Sequence, residues 1–356
     1  MSSWKDRIHK VTPYVPGEQP KVCGNIIKLN TNEFPYPPSP KVLEAIANTD
    51  VDALRLYPDT TASPLAKDIA EYYGAAEDEV FVGVGSDDVL SVAFLTCFAS
   101  DEPILFPDIT YSFYDVWADV YRIPYRMIPV DGNLRINKED YMVPNGGIVI
   151  ANPNAPTGIC ESKDFIEDIV KANRDSVVIV DEAYVDFGGE TSLELTRRYD
   201  NVLIVRTFSK SRAFAGMRIG FAIGSKELIK CMNDVKFSIN SYTMNRAAIE
   251  YGRAVLSDDE YFKETVGKVI ATREMTKAEF TKRGITFTDS KTNFIFAHPT
   301  KVSAEYMFNE LRRRNIFVRW WDKDIIRDYL RISIGTDDEM RALIGAIDEI
   351  QDAYLL

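Results

Sequence analysis

The sequence predicts an α/β protein in which a large domain, built on a mainly parallel sheet between helices, is followed by a smaller α+β domain. Between residues 80 and 224, short apolar runs alternate with longer amphipathic stretches, which is typical of βα units. The runs are continuous in Val, Ile and Leu, as in strands that a parallel sheet buries on both faces. From about residue 241 to 282 the sequence is strand-poor and helical periodicity dominates, and short strands alternate with helices after it.

The chain length is consistent with this division. At 356 residues the chain is too long for one ordinary core, and it fits two packed domains. Prolines are frequent up to about residue 40, and their fixed φ and missing N–H favour an extended segment. We expect residues 1–40 to form an N-terminal arm that joins the small domain, residues 41–245 the large domain and residues 246–356 the small C-terminal domain.

The individual elements follow from the same patterns. The predicted strands of the large domain are EVFVGVG, EPILFPD, GGIVIANPN, SVVIVDEAY, NVLIVRTFSK and GFAIG, and the helices between them include DVLSVAFLTCFA, YSFYDVWADVY and SKDFIEDIVKAN. Residues 241–282 predict two long helices, the second ending near Gly284. The remainder predicts short strands at TNFIFAH, IFVRWW and YLRISIG and helices at SAEYMFNELRRR and DEMRALIGAIDEI.

Charge and composition argue against several classes of function. The formal net charge of −12 argues against nucleic-acid binding, because a phosphate backbone is bound through clustered Lys and Arg. The N-terminus lacks an apolar signal segment and no run reaches the roughly 18 apolar residues of a membrane span, so we expect a cytoplasmic protein without a membrane partner. Two histidines and four scattered cysteines, at positions 23, 97, 160 and 231, predict reduced thiols and no metal site.

Polar residues follow several of the apolar runs, where open α/β sheets bind ligands. Lys210 follows NVLIVRTF, and a lysine at a strand end can be desolvated and form a Schiff base, although an isolated Ser-Lys pair usually lies in a surface loop. Asp181 ends the run SVVIV, where a carboxylate is costly unless it faces a cation such as a protonated pyridine nitrogen. Asp181 is equally compatible with a helix cap.

A phosphate site is indicated after the first of these strands. Ser86 and Asp87 follow Gly85 and open a predicted helix, whose free N–H groups and dipole attract a phosphate, although the same residues are also good helix caps. Ser209 and Arg218 would add a hydroxyl and a charge-assisted donor to that phosphate.

Together these segments resemble the fold-type I pyridoxal-phosphate (PLP) aminotransferases, and more closely their histidinol-phosphate aminotransferase branch. The resemblance runs over nearly the whole chain, through LNTNEFPYPPSP, LRLYPD, VFVGVGSDD, TYSFY, NPNAPTG, VVIVDEAYVDF, TFSKSRAFAGMRIGFAIG and YLRISIGT in that order. It implies the PLP fold-type I architecture and pyridoxal 5′-phosphate as cofactor, held in the large domain. The implied reaction converts histidinol phosphate and 2-oxoglutarate to imidazole-acetol phosphate and glutamate in histidine biosynthesis.

The resemblance also implies roles for the residues that match its motifs. Lys210 would carry the cofactor and shuttle a proton, Asp181 would pair with the pyridine nitrogen, and Tyr184 would donate to the cofactor's phenolic oxygen. Tyr111 would stack on the ring, and the cofactor phosphate would be bound by Ser86, Asp87, Ser209 and Arg218, together with Tyr57 of a second subunit. That last role implies a homodimer with composite active sites.

The small anionic amino and oxo substrates would be bound by two arginines. Arg331 resembles the carboxylate-binding arginine of the family and Arg319 the phosphate-binding one, roles that suit the planar guanidinium fork. Arg319 is also compatible with a surface strand. Tyr14, Asn30 and Glu33 are expected to line the substrate cleft.

One departure from the family pattern concerns the segment NPNAPTG. The family usually has asparagine directly before PTG, where it donates to the phenolic oxygen, and this chain has Ala155. Either Asn154 takes over that role or Tyr184 serves alone. The alternatives to the histidinol-phosphate activity are an aromatic aminotransferase or a related fold-type I decarboxylase, which would use the same cofactor residues, and a non-catalytic PLP-binding module.

Overall fold

The computed structural model describes residues 4–20 and 26–354. Its helices are α1 Lys41–Ala47, α2 Ser63–Tyr73, α3 Ser86–Cys97, α4 Tyr114–Tyr121, α5 Lys163–Ala172, α6 Lys226–Ile239, α7 Arg246–Leu256, α8 Asp259–Lys282, α9 Ala304–Arg313 and α10 Asp337–Tyr354. Its strands are β1 Ile27–Lys28, β2 Val80–Gly83, β3 Ile104–Pro107, β4 Tyr125–Ile128, β5 Gly147–Ala151, β6 Val178–Asp181, β7 Val202–Thr207, β8 Gly220–Gly224, β9 Thr286–Phe287, β10 Phe294–His298, β11 Ile316–Phe317, β12 Arg319–Trp320 and β13 Leu330–Ser333.

The large domain is built on a seven-stranded sheet with the order β2-β8-β7-β6-β5-β3-β4. All neighbouring strands run parallel except β8, which is antiparallel to both β2 and β7. The predicted mainly parallel α/β fold is thereby confirmed. The sequence prediction missed β4, because this edge strand exposes Arg126 and Met127 and therefore lacks a continuous apolar run.

Helices cover both faces of this sheet. Side chains of α3 and α4, such as Phe94 and Trp117, pack on one face, and α5 packs on the other through residues such as Ile166 and Ile169. The apolar residues of α7 join the cluster formed by α2, β2 and β8. Those of α8 join the core of the C-terminal segment instead. The domain division expected at residues 245/246 stays a prediction.

The C-terminal segment contains a four-stranded antiparallel sheet with the order β12-β13-β10-β9, backed by α8, α9 and α10. In this sheet Arg319 of β12 lies directly opposite Arg331 of β13. The N-terminal arm meets the same segment, because β1 pairs in parallel with β11. Helix α8 ends shortly before Gly284, whose φ of +73° suits glycine, as the sequence predicted.

In the described part of the chain, no helix has the length and apolar character needed to cross a membrane. Cys97, Cys160 and Cys231 are free thiols. The remaining cysteine, Cys23, lies outside the described residues, so the prediction made for it stays a prediction.

Candidate active site

A cavity of about 610 Å³ opens between the large sheet and the C-terminal segment. It lies beyond the carboxyl ends of the parallel strands, where α/β sheets bind ligands. Nine of the residues selected from the sequence line it, namely Tyr14, Asn30, Asp87, Tyr111, Tyr184, Lys210, Arg218, Arg319 and Arg331. The fold therefore collects residues that are more than 300 positions apart in the sequence into one site.

Lys210 projects into the cavity from the loop that follows β7. The six residues of β7 are all buried, which fixes the start of this loop. The Lys210 ammonium Nζ lies 5.5 Å from the centre of the Tyr184 ring. Within residues 4–20 and 26–354 it makes no hydrogen bond or ion pair, so its nitrogen is available for chemistry.

Asp181 is the last residue of β6 and lies below the cavity, with only 6% of its surface exposed. Tyr114 Oη donates to its Oδ2 over 2.9 Å, and the Ala183 N–H donates to its Oδ1 over 3.1 Å. Burial outweighs these bonds and raises the pKa of Asp181 to about 6. No lysine or arginine of the described chain pairs with Asp181, and it caps no helix, so the carboxylate is suited to a cation supplied by a ligand.

The turn from β2 into α3 forms a cradle of backbone N–H groups. The N–H groups of the first turn of a helix have no intrahelical acceptors, and no side chain caps α3, which begins at Ser86. A Cβ at Gly85 would lie 2.4 Å from Arg218 Nη2, and one at Gly220 would lie 2.3 Å from the Ser86 nitrogen. Glycine at both positions therefore lets the Arg218 side chain and the α3 N-terminus approach each other.

Arg218 connects the predicted phosphate ligands. Its Nη2 donates to Asp87 Oδ2 over 3.1 Å and its Nη1 to Ser209 Oγ over 3.4 Å. Tyr111 Oη donates to the other oxygen of Asp87 over 2.9 Å. Since the Asp87 carboxylate is an anion with both oxygens engaged, only its backbone N–H is suited to a phosphate. Positive charge and free N–H donors thus converge at this end of the cavity.

Arg319 and Arg331 line the cavity from the C-terminal sheet. Their direct cross-strand pairing places two like charges side by side, which destabilises a sheet unless an anion lies between them. Burial and the charge of Arg319 lower the pKa of Arg331. Arg331 donates from Nη2 to the Asn30 carbonyl over 2.9 Å, while its buried Nε has no partner in the described chain. The positive charge and the unpartnered donor of this pair of arginines suit it to binding an anion.

Two aromatic contacts complete this wall. The Trp321 ring lies 5.3 Å from the Arg319 guanidinium and 5.2 Å from that of Arg331, so it keeps both side chains in the cavity. Tyr14, on the N-terminal arm, stacks on Phe113 with ring centres 4.3 Å apart. This contact holds the arm against the cavity that Tyr14 lines.

The structure does not bring every predicted residue into this cavity. Asn154 donates its amide hydrogens to the Ile109 carbonyl and to Thr157, so it is occupied in holding the loop. Glu33 pairs with Lys28 over 2.6 Å at the surface. Tyr57 is 78% exposed and stacks on Tyr242 outside the cavity of its own chain.

Among the lining residues that were not selected from the sequence, three make contacts that hold the site together. Asn32 is buried in the cavity wall and donates from Nδ2 to Tyr184 Oη over 2.9 Å. Trp321 contacts both arginines, and Lys323 donates from Nζ to the Asp108 carbonyl over 2.7 Å, which links the two parts of the molecule. Asn32 lies between two residues that were selected, Asn30 and Glu33, and Trp321 follows Arg319 by two positions. Proximity to those motifs was the available signal.

Comparison with known proteins identifies a family. The sequence profile described as "Aminotransferase class I and II" matches residues 24–347. A protein named histidinol-phosphate aminotransferase from Lactococcus lactis subsp. cremoris (strain SK11) is 49% identical over 347 residues, covering 98% of this chain and 97% of the relative. Another of that name, from Clostridium botulinum (strain Langeland), is 50% identical over 98% of both chains.

Solved structures with the same fold carry related names. The crystal structure of the histidinol-phosphate aminotransferase from Clostridium acetobutylicum has a TM-score of 0.85 and 22% identity, covering 92% of this chain and 100% of that one. The enzyme of the same name from Sinorhizobium meliloti, in complex with pyridoxal-5′-phosphate, has a TM-score of 0.84 and 22% identity, covering 92% of this chain and 91% of that one. These likenesses establish the fold.

Proposed function

Because this chain belongs to the class I and II aminotransferases, we propose that it is the transaminase of histidine biosynthesis, which exchanges an amino group between histidinol phosphate and 2-oxoglutarate. The relatives that match almost the whole chain at about half identity carry that activity in their names. The family is PLP-dependent and catalytic, which argues against a non-catalytic binding module.

The residues present fit both the phosphate and the pyridine nitrogen of pyridoxal phosphate. The cofactor phosphate would be held by the N–H groups of Ser86 and Asp87 with Arg218 and Ser209, since that cradle joins free donors to a positive charge. The pyridine nitrogen would face Asp181, the buried carboxylate that lacks a cation in the described chain. Tyr111 would contact the ring.

The bound cofactor supplies an electron sink for the carbanion that forms when the substrate Cα loses its proton. Asp181 keeps that sink effective by holding a proton on the ring nitrogen through its negative charge. Lys210 Nζ has no other partner in the described chain and is free to hold the cofactor and then to move the Cα proton. Tyr184 offers its hydroxyl hydrogen to the phenolic oxygen.

The observation that carries the substrate assignment is the pairing of Arg319 and Arg331 in the wall of the cavity that Lys210 lines. Arg331 would bind the carboxylate of glutamate or 2-oxoglutarate, and Arg319 the phosphate of histidinol phosphate. Each anion would relieve the repulsion between the two guanidinium groups. Tyr14 and Asn30 would border the bound substrate, since both line the same cavity.

Assembly as a homodimer is part of this proposal. Large apolar side chains around Tyr57 are exposed, including Leu43 at 71%, Val51 at 70% and Leu54 at 55%. Exposed apolar side chains that lie close together in the sequence, as these do, favour an interface between subunits. A second copy covering these side chains would bring its Tyr57 towards the cofactor phosphate and complete a composite site. The setting of this reaction would be the cytoplasm.

An amino-donor exchange assay tests the proposed activity. The purified, cofactor-loaded protein should form glutamate from 2-oxoglutarate when histidinol phosphate is the donor. Phenylalanine and tyrosine should be much poorer donors at equal concentration. A clear preference for phenylalanine or tyrosine would favour the aromatic aminotransferase alternative. Release of CO₂ from an added amino acid without formation of glutamate would favour a decarboxylase, since histidinol phosphate has no carboxyl group to lose.

A further inference from the structure

The hydroxyl group of Tyr184 is held by an amide on the N-terminal segment. Asn32 is 1% exposed, lines the cavity and donates from Nδ2 to Tyr184 Oη over 2.9 Å. The Tyr184 ring is fixed from another side by Phe294, which meets it edge-on with ring centres 5.2 Å apart. Both the position of the ring and the direction of its hydroxyl group are therefore determined by neighbours.

Asn32 is itself held in one orientation. Its φ of +56° lies in the left-handed region, which asparagine tolerates better than most residues. Its backbone N–H donates to Ser333 Oγ, and Ser333 Oγ donates to its Oδ1, each over 2.9 Å. Asn293 Nδ2 donates to its carbonyl over 2.9 Å. With the amide oxygen engaged by Ser333, the amide nitrogen faces Tyr184.

This orientation decides what the Tyr184 hydroxyl can do. The phenol has one hydrogen, and its oxygen already accepts from Asn32. No acceptor for that hydrogen occurs in the described part of the chain, so it is free to be donated into the cavity. A hydroxyl that accepts one hydrogen bond is a stronger donor in the next, because hydrogen bonds in a chain polarise one another.

Position 155 lacks a hydrogen-bond donor, which makes the contact between Asn32 and Tyr184 important. Ala155 lines the cavity with a methyl group that cannot donate, and the neighbouring Asn154 is committed to Ile109 and Thr157. Neither Asn154 nor position 155 thus offers an amide donor to the cavity. The Asn32 amide contacts the Tyr184 hydroxyl instead.

We infer that Asn32 is a positioning residue that sets the direction and strength of the hydrogen bond from Tyr184 to the phenolic oxygen of the cofactor. It thereby compensates for the donor that is missing at position 155. This inference rests on the proposed function, because it requires pyridoxal phosphate in the cavity.

The test follows the visible absorption of the cofactor-loaded protein as a function of pH. A hydrogen bond to the phenolic oxygen stabilises its negative charge and makes the neighbouring protonated nitrogen easier to deprotonate. Asn32→Gly keeps a backbone that tolerates positive φ and removes the amide without adding charge. The midpoint is the pH at which half of the change in visible absorbance has occurred. For Asn32→Gly this midpoint should rise by about 0.5–1 pH unit, as expected for the loss of one ordinary hydrogen bond. An unchanged midpoint would overturn the inference.

Two further comparisons separate donation from other effects. Asn32→Asp keeps the shape of the side chain and its bond to Ser333 but replaces the donor to Tyr184 by an acceptor. The midpoint of this variant should therefore rise more than the midpoint of a control variant, Asn30→Asp. The latter makes the same chemical change in the same cavity, at an amide that donates to the Glu18 carbonyl over 2.8 Å. Equal shifts in the two variants would reduce the role of Asn32 to charge and overturn the inference.

A double-mutant comparison keeps the test valid if the single variant is less stable. In a Tyr184→Phe background the hydroxyl is absent, so Asn32→Gly should leave the midpoint where Tyr184→Phe alone puts it. Additive shifts would mean that Asn32 acts elsewhere. Ala155→Asn should return the midpoint of Asn32→Gly towards that of the wild type. A wild-type protein that binds no pyridoxal phosphate would instead overturn the proposed function.

Discussion

Replacing Asp181 by Asn should stabilise the cofactor-free protein at neutral pH while removing most of the transaminase activity. Burial raises the pKa of Asp181 from 3.8 to about 6 in the folded protein, and the unfolded chain restores the ordinary value. The unfolded state therefore loses its proton at lower pH than the folded state. The favourable contribution of the protonated carboxyl to stability is complete below about pH 4 and is lost as the pH rises through about 6.

The size of the effect follows from the two pKa values. A difference of about 2 pH units corresponds to about 3 kcal/mol, at about 1.4 kcal/mol per unit. Asparagine does not ionise, so the variant does not lose this stability as the pH rises. The free energy of unfolding of Asp181→Asn, relative to the wild type, should rise by about 2.5 kcal/mol from pH 4 to pH 8, and somewhat more than half of that rise should fall between pH 5 and 8.

Urea unfolding of both cofactor-free proteins, at equal protein concentration and across this pH range, measures that change. Comparing the variant with the wild type at each pH cancels the other titrating groups and the loss of neutral contacts. Loading the wild type with cofactor should remove the dependence, because the protonated ring nitrogen then neutralises Asp181. A relative stability that stays constant with pH, or that falls as pH rises, would refute the reasoning.

The other predictions concern the cofactor, the substrate and the assembly. Lys210→Ala should lose the lysine adduct that borohydride traps in the wild type, and peptide mass analysis that finds the wild-type adduct on another lysine would disprove the assignment. Arg319→Gln should lower kcat/KM for histidinol phosphate by about ten- to a hundredfold, since a hydrogen bond to a charged group contributes about 1.5–3 kcal/mol. The slow turnover of phenylalanine, which has no phosphate, should fall much less. Equal losses for the two substrates would contradict phosphate recognition by Arg319. Mixing Lys210→Ala with Tyr57→Ala subunits should give more activity than the two variants measured apart, because one site of each mixed dimer is intact; simple addition would argue against shared sites.

The sequence predicted the sheet and most of the cavity because those features depend on local patterns. Continuous apolar runs identified six of the seven strands of the large sheet, and the polar residues that follow them, such as Lys210 and Asp87, reach the cavity because strand ends meet at one edge. Strand β4 was missed because it lies at the sheet edge with exposed side chains.

Contacts between distant segments had no local signal. Asn32 donates to Tyr184, which lies 152 positions away in the sequence. Nothing in the sequence distinguishes Asn32 from the other polar residues of the arm. Trp321 and Lys323 lie in a loop whose approach to the large sheet depends on packing of the C-terminal segment. Glu33 was expected in the substrate cleft, but the nearby Lys28 holds its carboxylate at the surface.

The chain is acidic as a whole, so charges inside the cavity must attract its anionic ligands. With a net charge of −12, the protein as a whole repels anionic substrates, so attraction depends on charges that act at short range. Arg319 and Arg331 lie opposite each other in the sheet, and Asp181 is buried without a cation in the described chain. Each arrangement destabilises the ligand-free protein. Cofactor and substrate bound as proposed would neutralise these charges, so part of their binding energy would come from relieving unfavourable interactions that the fold maintains in their absence. Ligand binding should therefore stabilise the folded state through the same residues that are proposed to take part in the reaction.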